Sequence, residues 1–401
     1  MRILMIAPQP FMEPRGVPFS VYYHVKVLGM MGYEIDLVTY PIGKPVNLPG
    51  LSIYRTPPIP FLHGVKVGPS LAKIPLDLLV LLTALWRLCL KRYKYVYTHE
   101  EAGLMGVLLS WLFGCKHLYY MHSDLAQQTV SSEFTKNRLL LRCVDAVQRL
   151  IVRKADAVIA ICPDIAATAK RIAPEKPVHM IENIAVDEEM PPGNANDVAQ
   201  LRQRLNLGDG PVLLYTGTLE SYQGIDLLLQ SAVLVHAASP EARYVIAGGK
   251  PEKVAKWRRL TEELGITDSV CFVGQRPLEE MPQYTALADI LLSSRSKGTN
   301  TPLKLYTYLR SGKPILATNI LSHTQILNPE VAMLVPATPE GLAQGALELL
   351  QNPGQALALG ESGQRFAQEH YSWPVFLEKC RQVYSEFNAG KHLREQVYVA
   401  Q

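Results

Sequence analysis

Short apolar runs alternate with stretches of helical length along most of the chain. In the first half, "RILMIAP" (Arg2 to Pro8), "YEIDLVTY", "YKYVYTH", "HLYYMH" and "DAVIAI" are rich in β-branched or aromatic side chains and have strand length. The first segment between them, Pro18 to Met31, opens on a proline and stops near Gly32, the signature of a helix. Strands separated by helical lengths predict βαβ units and a parallel sheet with both faces covered. The pattern breaks at "DEEMPPGNANDV", Asp187 to Val198, which is acidic, carries prolines and has no period, so a domain boundary is expected there. The same grammar then restarts with "PVLLYTG", a helix from Ile225 to His236, "ARYVIAGG", "SVCFVG", "ADILLSS", "KPILAT" and "VAMLVPA". Helices follow from Pro339 to about Asn388, including "SWPVFLEKCRQVYSEF". The expected fold class is α/β. One Rossmann-like domain spans 1–186 and a second 198–372, and a helical tail, 373–401, packs back on the first.

Composition agrees with this layout. A chain of 401 residues exceeds one ordinary core, and 48% apolar with 19% charged residues is the balance of a packed, water-soluble protein. The six cysteines show no paired spacing, which predicts reduced thiols, a cytosolic setting and no zinc site. The opening "MRILMIAPQP" reads as a buried strand rather than a signal peptide. A net charge of +4, without a basic tail or finger spacing, argues against nucleic acid. One segment complicates the picture. Ile74 to Tyr95 is strongly apolar and then basic, though too short to span a bilayer. It reads either as a core helix entering a strand, or as a helix resting on anionic lipid. In the second case Trp86 lies at the interface and Arg87, Lys91, Arg92 and Lys94 reach the headgroups.

In open parallel sheets ligands sit beyond the carboxyl ends of the strands, so the loops after strands hold the candidates. Gly16 precedes the first helix, whose N–H groups suit an anion. "HEEAG" supplies His99, Glu100 and Glu101, and "HSDL" supplies His122, Ser123 and Asp124. His122 is the favoured functional group, whereas Ser123 or Asp124 can equally serve as a helix cap. Neither cluster has the ligand count or spacing of a metal site. In the second half, "YTGTLESYQG" holds Gly217, Thr218, Glu220 and Gln223, "IAGG" holds Gly248, and "FVGQR" holds Gln275 and Arg276. The stretch "LLSSRSKGTNTPLKLYTYLRSGKPILAT" then brings Arg295 and Lys297 to a strand end. Thr299, Asn300 and Thr301 form its loop, and Lys304 and Thr307 belong to the following helix. Cations, hydroxyls and a helix start together suit a diphosphate.

The order of these pieces resembles a GT-B glycosyltransferase of the large retaining family 4 over nearly the full chain. The resemblance rests on "GYEIDLVT", "YYMHSDL", "HMIENIAVD", "YTGTLESYQGIDLLL", "FVGQRPLEEMPQYTALADILLSS" and "PLKLYTYLRSGKPIL". It implies two Rossmann-like domains with an interdomain cleft. A nucleotide sugar, most often a UDP-sugar, is held mainly by the second domain, and the hexosyl group is transferred with retention and without a catalytic metal or other cofactor. His122 takes the place of the family's donor-sugar histidine, Gly16 that of its phosphate-closing loop, and Gly274 to Arg276 that of its base contacts.

Four departures mark this chain. The family's basic pair is replaced by Thr218 and Gln223, and its two glutamates by Thr299 and Thr307. A threonine exchanges hydrogen bonds with a sugar hydroxyl but carries no charge. The expectation is therefore a relocated charge: Arg295, Lys297 and Lys304 on the diphosphate, with Glu220 taking a sugar or ribose hydroxyl. Glu100 and Asp124 are the acceptor-side candidates. The apolar helix before Tyr95, the Tyr119–Tyr120 pair and "IPFLHGVKVG" fit a glycan or lipid-linked acceptor at the inner face of a membrane. The competing expectations are a degenerate binding partner of an active transferase, and a nucleotide-sugar epimerase of the same architecture.

Overall fold

The computed structural model describes residues 1–13, 16–60, 70, 72–131 and 137–389. The first sheet is built from β1 (Arg2–Ala7), β2 (Glu34–Thr39), β3 (Leu51–Arg55), β4 (Tyr95–His99), β5 (Lys116–Met121), β6 (Ala157–Ala160) and β7 (Val178–Met180). Its strands are all parallel, in the order β3-β2-β1-β4-β5-β6-β7. The second sheet holds β8 (Val212–Thr216), β9 (Arg243–Ala247), β10 (Val270–Gly274), β11 (Ile290–Ser293), β12 (Ile315–Thr318) and β13 (Met333–Val335), also parallel, in the order β10-β9-β8-β11-β12-β13. The chain divides into two units: residues 1–182 with the chain from Phe376 onward, and residues 183–375.

Burial follows the strand period. In β8, Leu213 and Tyr215 join one core cluster while Val212 and Leu214 join another, so both faces of the second sheet are covered. In the first unit, Leu4, Ile6, Val38 and Val96 pack against Leu76, Val80 and Ala84 of the helix Lys73–Leu90. The first helix runs Gly16–Met30, starting two residues before the expected Pro18.

Both sheets reverse their strand order once. β1 pairs with β2 on one side and β4 on the other. β8 does the same with β9 and β11. The loops leaving β1 and β4, and those leaving β8 and β11, therefore diverge and open a crevice at each switch point.

The helix stops at Leu90 and Tyr95 belongs to β4, as a core helix entering a strand requires, but one expectation about Lys73–Leu90 needs correction. Arg87 does not reach toward headgroups: it is buried, 2.8 Å from Asp36, which also accepts from the Tyr93 hydroxyl. A buried carboxylate in a sheet needs a cation and hydrogen bonds close by, and Arg87 supplies both. Tyr119 and Tyr120 are likewise fully buried in β5 and offer no open aromatic surface. The segment "FLHGVKVG", the pair Pro14–Arg15 of the first loop, and the tail beyond residue 389 lie outside the described residues.

Candidate functional site

In the second unit the candidates gather along the carboxyl edge of β10, β9, β8 and β11. Gly248 sits at φ +116 after β9, and a Cβ there would lie 2.0 Å from the Gly217 carbonyl oxygen, so the two turns touch backbone to backbone. The Gly217 N–H donates to Ala247, and the Gly248 N–H donates to Gly274. Gly224, at φ +67, brings the turn after β8 equally close to the Ser294 carbonyl after β11. Ser294 Oγ donates to the Gln223 carbonyl at 3.0 Å, and the Ser296 N–H donates to Tyr222 at 3.0 Å. The two switch-point loops are thereby stitched together. Leu219, at φ +59, holds a left-handed conformation uncommon for a branched side chain, with its carbonyl accepting from Trp257.

The loop's cations face inward. Arg295 is 6% exposed; its Nη1 donates to the Asn300 carbonyl at 2.6 Å and its Nη2 to Asn300 Oδ1 at 3.2 Å, with the guanidinium 5.0 Å from the Tyr222 ring centre. Lys304 Nζ donates to the Thr216 carbonyl at 3.0 Å and lies 3.7 Å from the centre of the Tyr215 ring. Burial, and then the neighbouring Arg295, push the Lys304 ammonium well below its ordinary range. Arg295 Nε, Thr218 Oγ1 and Thr301 Oγ1 are buried and have no hydrogen-bond partner among the described residues. Three such donors along one strand edge leave hydrogen bonds that a ligand or water there would complete. Asn300 serves as the clamp on Arg295, and Lys297 is exposed.

Other candidates are already engaged. Glu220 pairs with Lys253 at 3.2 Å, and Gln223 Oε1 accepts from the Tyr215 hydroxyl at 3.2 Å. Thr307, where the family resemblance puts a glutamate, is buried and donates to Asp187 Oδ1 at 3.1 Å. Asp187 also lies 3.8 Å from Arg310. A carboxylate does stand beside this helix, then, contributed from residue 187 instead of 307. The Thr299 carbonyl accepts from Gln325 Nε2. Beside the loop ends, a cavity of about 460 Å³ is lined by Gly249, Val254, Phe272, Gly274, Gln275 and Arg276. Arg276 folds back to donate twice to the Val273 carbonyl. His323, missed in the sequence reading, bonds Ser293 and Thr318 from deep in the core and acts as a brace under the loop.

The first unit carries a separate polar cluster. His99 ends β4 and His122 follows β5, and their rings stack with Nδ1 of His99 2.9 Å from Nε2 of His122. Burial holds His122 down to about 3, and burial with the two neighbouring histidines holds His99 well below its ordinary value. Both imidazoles are therefore neutral at physiological pH, one donating and the other accepting. His99 also stacks on Tyr97, whose hydroxyl is 3.1 Å from that of Tyr384. Tyr384 bonds His24 Nδ1 at 2.7 Å, and His24 Nε2 bonds Tyr120 at 2.9 Å. Neither His24 nor Tyr384 follows a strand, so the search of strand-end loops could not have found them.

Glu100 sits at φ +50 with its buried carboxyl accepting from Ser123 Oγ at 2.9 Å. Burial and then Glu101 push its pKa up to about 8, against a smaller opposing effect from Ser123. A left-handed backbone and a carboxyl with a raised pKa at one strand end make Glu100 a candidate acid. Asp124 is engaged as well: its Oδ1 accepts from the N–H groups of Ala126 and Gln127 and caps the helix Leu125–Ser131, the capping role expected of Ser123 or Asp124. Gly16 begins the first helix. Among the described residues no group of three potential ligands is placed to hold a metal ion.

Two family models match, the glycosyl transferase 4-like domain over residues 16–183 and the glycosyl transferases group 1 over residues 197–366. The GDP-mannose-dependent alpha-(1-6)-phosphatidylinositol monomannoside mannosyltransferase of Mycolicibacterium smegmatis is 26% identical over 46% of this chain and 53% of its own. The chain thus spans about half the length of that relative. The sucrose-phosphate synthase of Thermosynechococcus elongatus superposes with a TM-score of 0.82 at 21% identity, covering 97% of this chain and 100% of that one. Anabaena HepE in complex with UDP-glucose superposes with a TM-score of 0.74 at 17% identity, over 96% and 100%. With one matching model on each of its two Rossmann-like units, the chain belongs to the group 1 glycosyltransferases and has their GT-B fold.

Proposed function

We propose that the chain transfers a hexosyl group from a nucleotide diphosphate sugar to a glycan or lipid-linked acceptor, with retention of anomeric configuration. The observation that carries this reading is the inward-facing pair Arg295 and Lys304, with unpartnered donors at Thr218, Thr301 and Arg295 Nε. Two cations kept close together and partly desolvated repel one another until an anion joins them. Along the strand edge the order is cavity, glycine turns, cations, which matches base, ribose and diphosphate in sequence. A cavity flanked by Arg276 and Gln275 suits uracil, and a UDP-sugar is the favoured donor. The complex of HepE with UDP-glucose supports that choice, whereas the mannosyltransferase relative is named for GDP-mannose.

As the glycosidic bond breaks, negative charge gathers on the leaving diphosphate. Fixed cations stabilise that charge more than they stabilise the intact donor, and so lower the barrier. No metal is required by this scheme. Neutral His122, held by His99, keeps its remaining ring nitrogen for a sugar hydroxyl. The acceptor hydroxyl attacks on the face from which the diphosphate leaves, and a diphosphate oxygen takes its proton. Glu100, protonated near neutrality, donates to an acceptor hydroxyl. The setting is cytoplasmic, where nucleotide sugars are made. A second reading, a catalytically silent binding partner, is favoured by one observation: threonines stand at 299 and 307, and Thr307 is engaged by Asp187.

Calorimetric titration with a panel of nucleotides and nucleotide sugars tests the proposal. Saturable binding to one diphosphate class, lost in Arg295→Ala, is expected. A folded protein that binds none of them sinks the donor site.

A further inference from the structure

Two helices of the first unit present apolar side chains that no described residue covers. On Lys73–Leu90, the residues Ile74, Leu78, Leu82, Trp86 and Leu90 recur every fourth position and are all at least half exposed. That spacing draws one stripe along the helix, while Leu76, Val80, Ala84 and Leu88 on the other side enter the core. The neighbouring helix Gly103–Phe113 exposes Leu104, Leu108, Leu112, Phe113 and, at 78%, Trp111. Single exposed leucines are ordinary, but a stripe shared by two adjacent helices is not. Between the helices lies a cavity of about 540 Å³ lined by Leu78, Leu81, Leu104, Met105, Leu108 and Trp111. Asp77 and Glu101, near the starts of the two helices, complete its wall.

Basic residues follow both helices at their carboxyl ends. The chain leaves the first helix through Arg92 and Lys94, both exposed, and leaves the second through exposed Lys116. The Lys116 N–H donates to the Lys94 carbonyl at 3.2 Å, so the two lysines stand side by side at the starts of β4 and β5. Trp86, Leu90, Trp111 and Phe113 lie in the helix ends that lead into these cations. Aromatic and apolar side chains bordered by lysine and arginine are the chemistry that meets anionic headgroups with hydrocarbon beneath. Among the described residues no helix is long and apolar enough to cross a membrane, so the contact lies on the surface.

We propose that this face docks on an anionic bilayer and that the groove between the two helices takes a hydrocarbon chain of one of its lipids. The groove runs up to Glu101, next to Glu100 and two residues from His99. A lipid held there presents its head to that cluster. This last step alone rests on the transferase reading, and names a lipid as its acceptor class; docking does not depend on it.

The test is flotation of the full chain with vesicles of phosphatidylcholine alone, and of phosphatidylcholine mixed with phosphatidylglycerol, without nucleotide sugar. Flotation with the anionic vesicles, weakened by salt and accompanied by tryptophan quenching from brominated acyl chains, is expected. Trp86→Glu combined with Trp111→Glu should weaken partitioning about tenfold or more, and Lys94→Glu with Lys116→Glu should abolish the preference for phosphatidylglycerol. Circular dichroism confirms that each variant is folded. The proposal falls if folded wild-type protein ignores both vesicles, or if the tryptophan pair changes nothing. It also falls if wild type is a vesicle-inert dimer that Trp111→Glu dissociates, since a second copy then covers the face. Donor binding by calorimetry is measured separately, so loss of either result leaves the other standing.

Discussion

Lys304 is the residue whose protonation should report ligand binding. Burial and Arg295 disfavour its charged form, and an incoming diphosphate reverses both effects. Nucleotide binding should therefore raise the Lys304 pKa, seen across a pH series as proton uptake that makes the calorimetric heat depend on buffer ionisation enthalpy. Binding with no uptake at any pH of the series puts the diphosphate elsewhere. Arg295→Ala should raise the barrier to transfer by about 2 to 4 kcal/mol, the usual effect of losing one well-placed donor to developing charge. Glu100 makes a prediction of opposite kind. Its carboxyl rises from 4.5 to about 8 on folding, so between these values the folded state binds the extra proton. Stability from this group is intact below about 4.5 and falls as pH climbs toward 8. Glu100→Gln should flatten that decline, gaining on the order of a few kcal/mol relative to wild type at pH 8 in denaturant titrations.

At the scale of elements, the helix Leu125–Ser131 depends on Asp124 for two of its free N–H groups. Asp124→Ala should cost about 1 kcal/mol in thermal or denaturant unfolding, the ordinary effect of a lost cap. The strands with apolar runs were legible in the sequence because most are buried on both faces, and the edge strands β10 and β13 keep an apolar run. β3 and β7 were not. They are edge strands with partly exposed side chains, "LSIYR" and "VHM", too short and too mixed to carry a period. The strand-end rule pointed to His122, Glu100, Arg295 and Lys304, because a parallel sheet puts ligand groups after its strands whatever their identity. It could not tell which of those groups the fold itself engages. Thr307 against Asp187 and Arg87 against Asp36 join residues brought together by tertiary packing, and spacing alone does not predict them, whereas the cap at Asp124 is among the sequence expectations.

On the scale of the whole molecule, the first unit is not made of one continuous piece of chain. Phe376 packs its ring 5.3 Å from that of His24, and Tyr384 hydrogen-bonds both His24 and Tyr97, so side chains near the end of the sequence fill a gap among the first strands and helix. Tyr384→Phe should cost about 1 to 3 kcal/mol by leaving the buried His24 nitrogen unpaired, read as a lower unfolding midpoint. There is a consequence for synthesis on the ribosome. Residues 183–375 are complete in sequence before Phe376 and Tyr384 have been made. From Glu182 to Tyr384 a ribosome adds 202 residues (384 − 182), which at about 5 to 20 residues per second takes roughly 10 to 40 s. For that interval the nascent first unit has His24 and Tyr97 without their partner, and the whole of the second unit is made within it. The half of the protein whose synthesis starts first is therefore the half whose sequence is completed last.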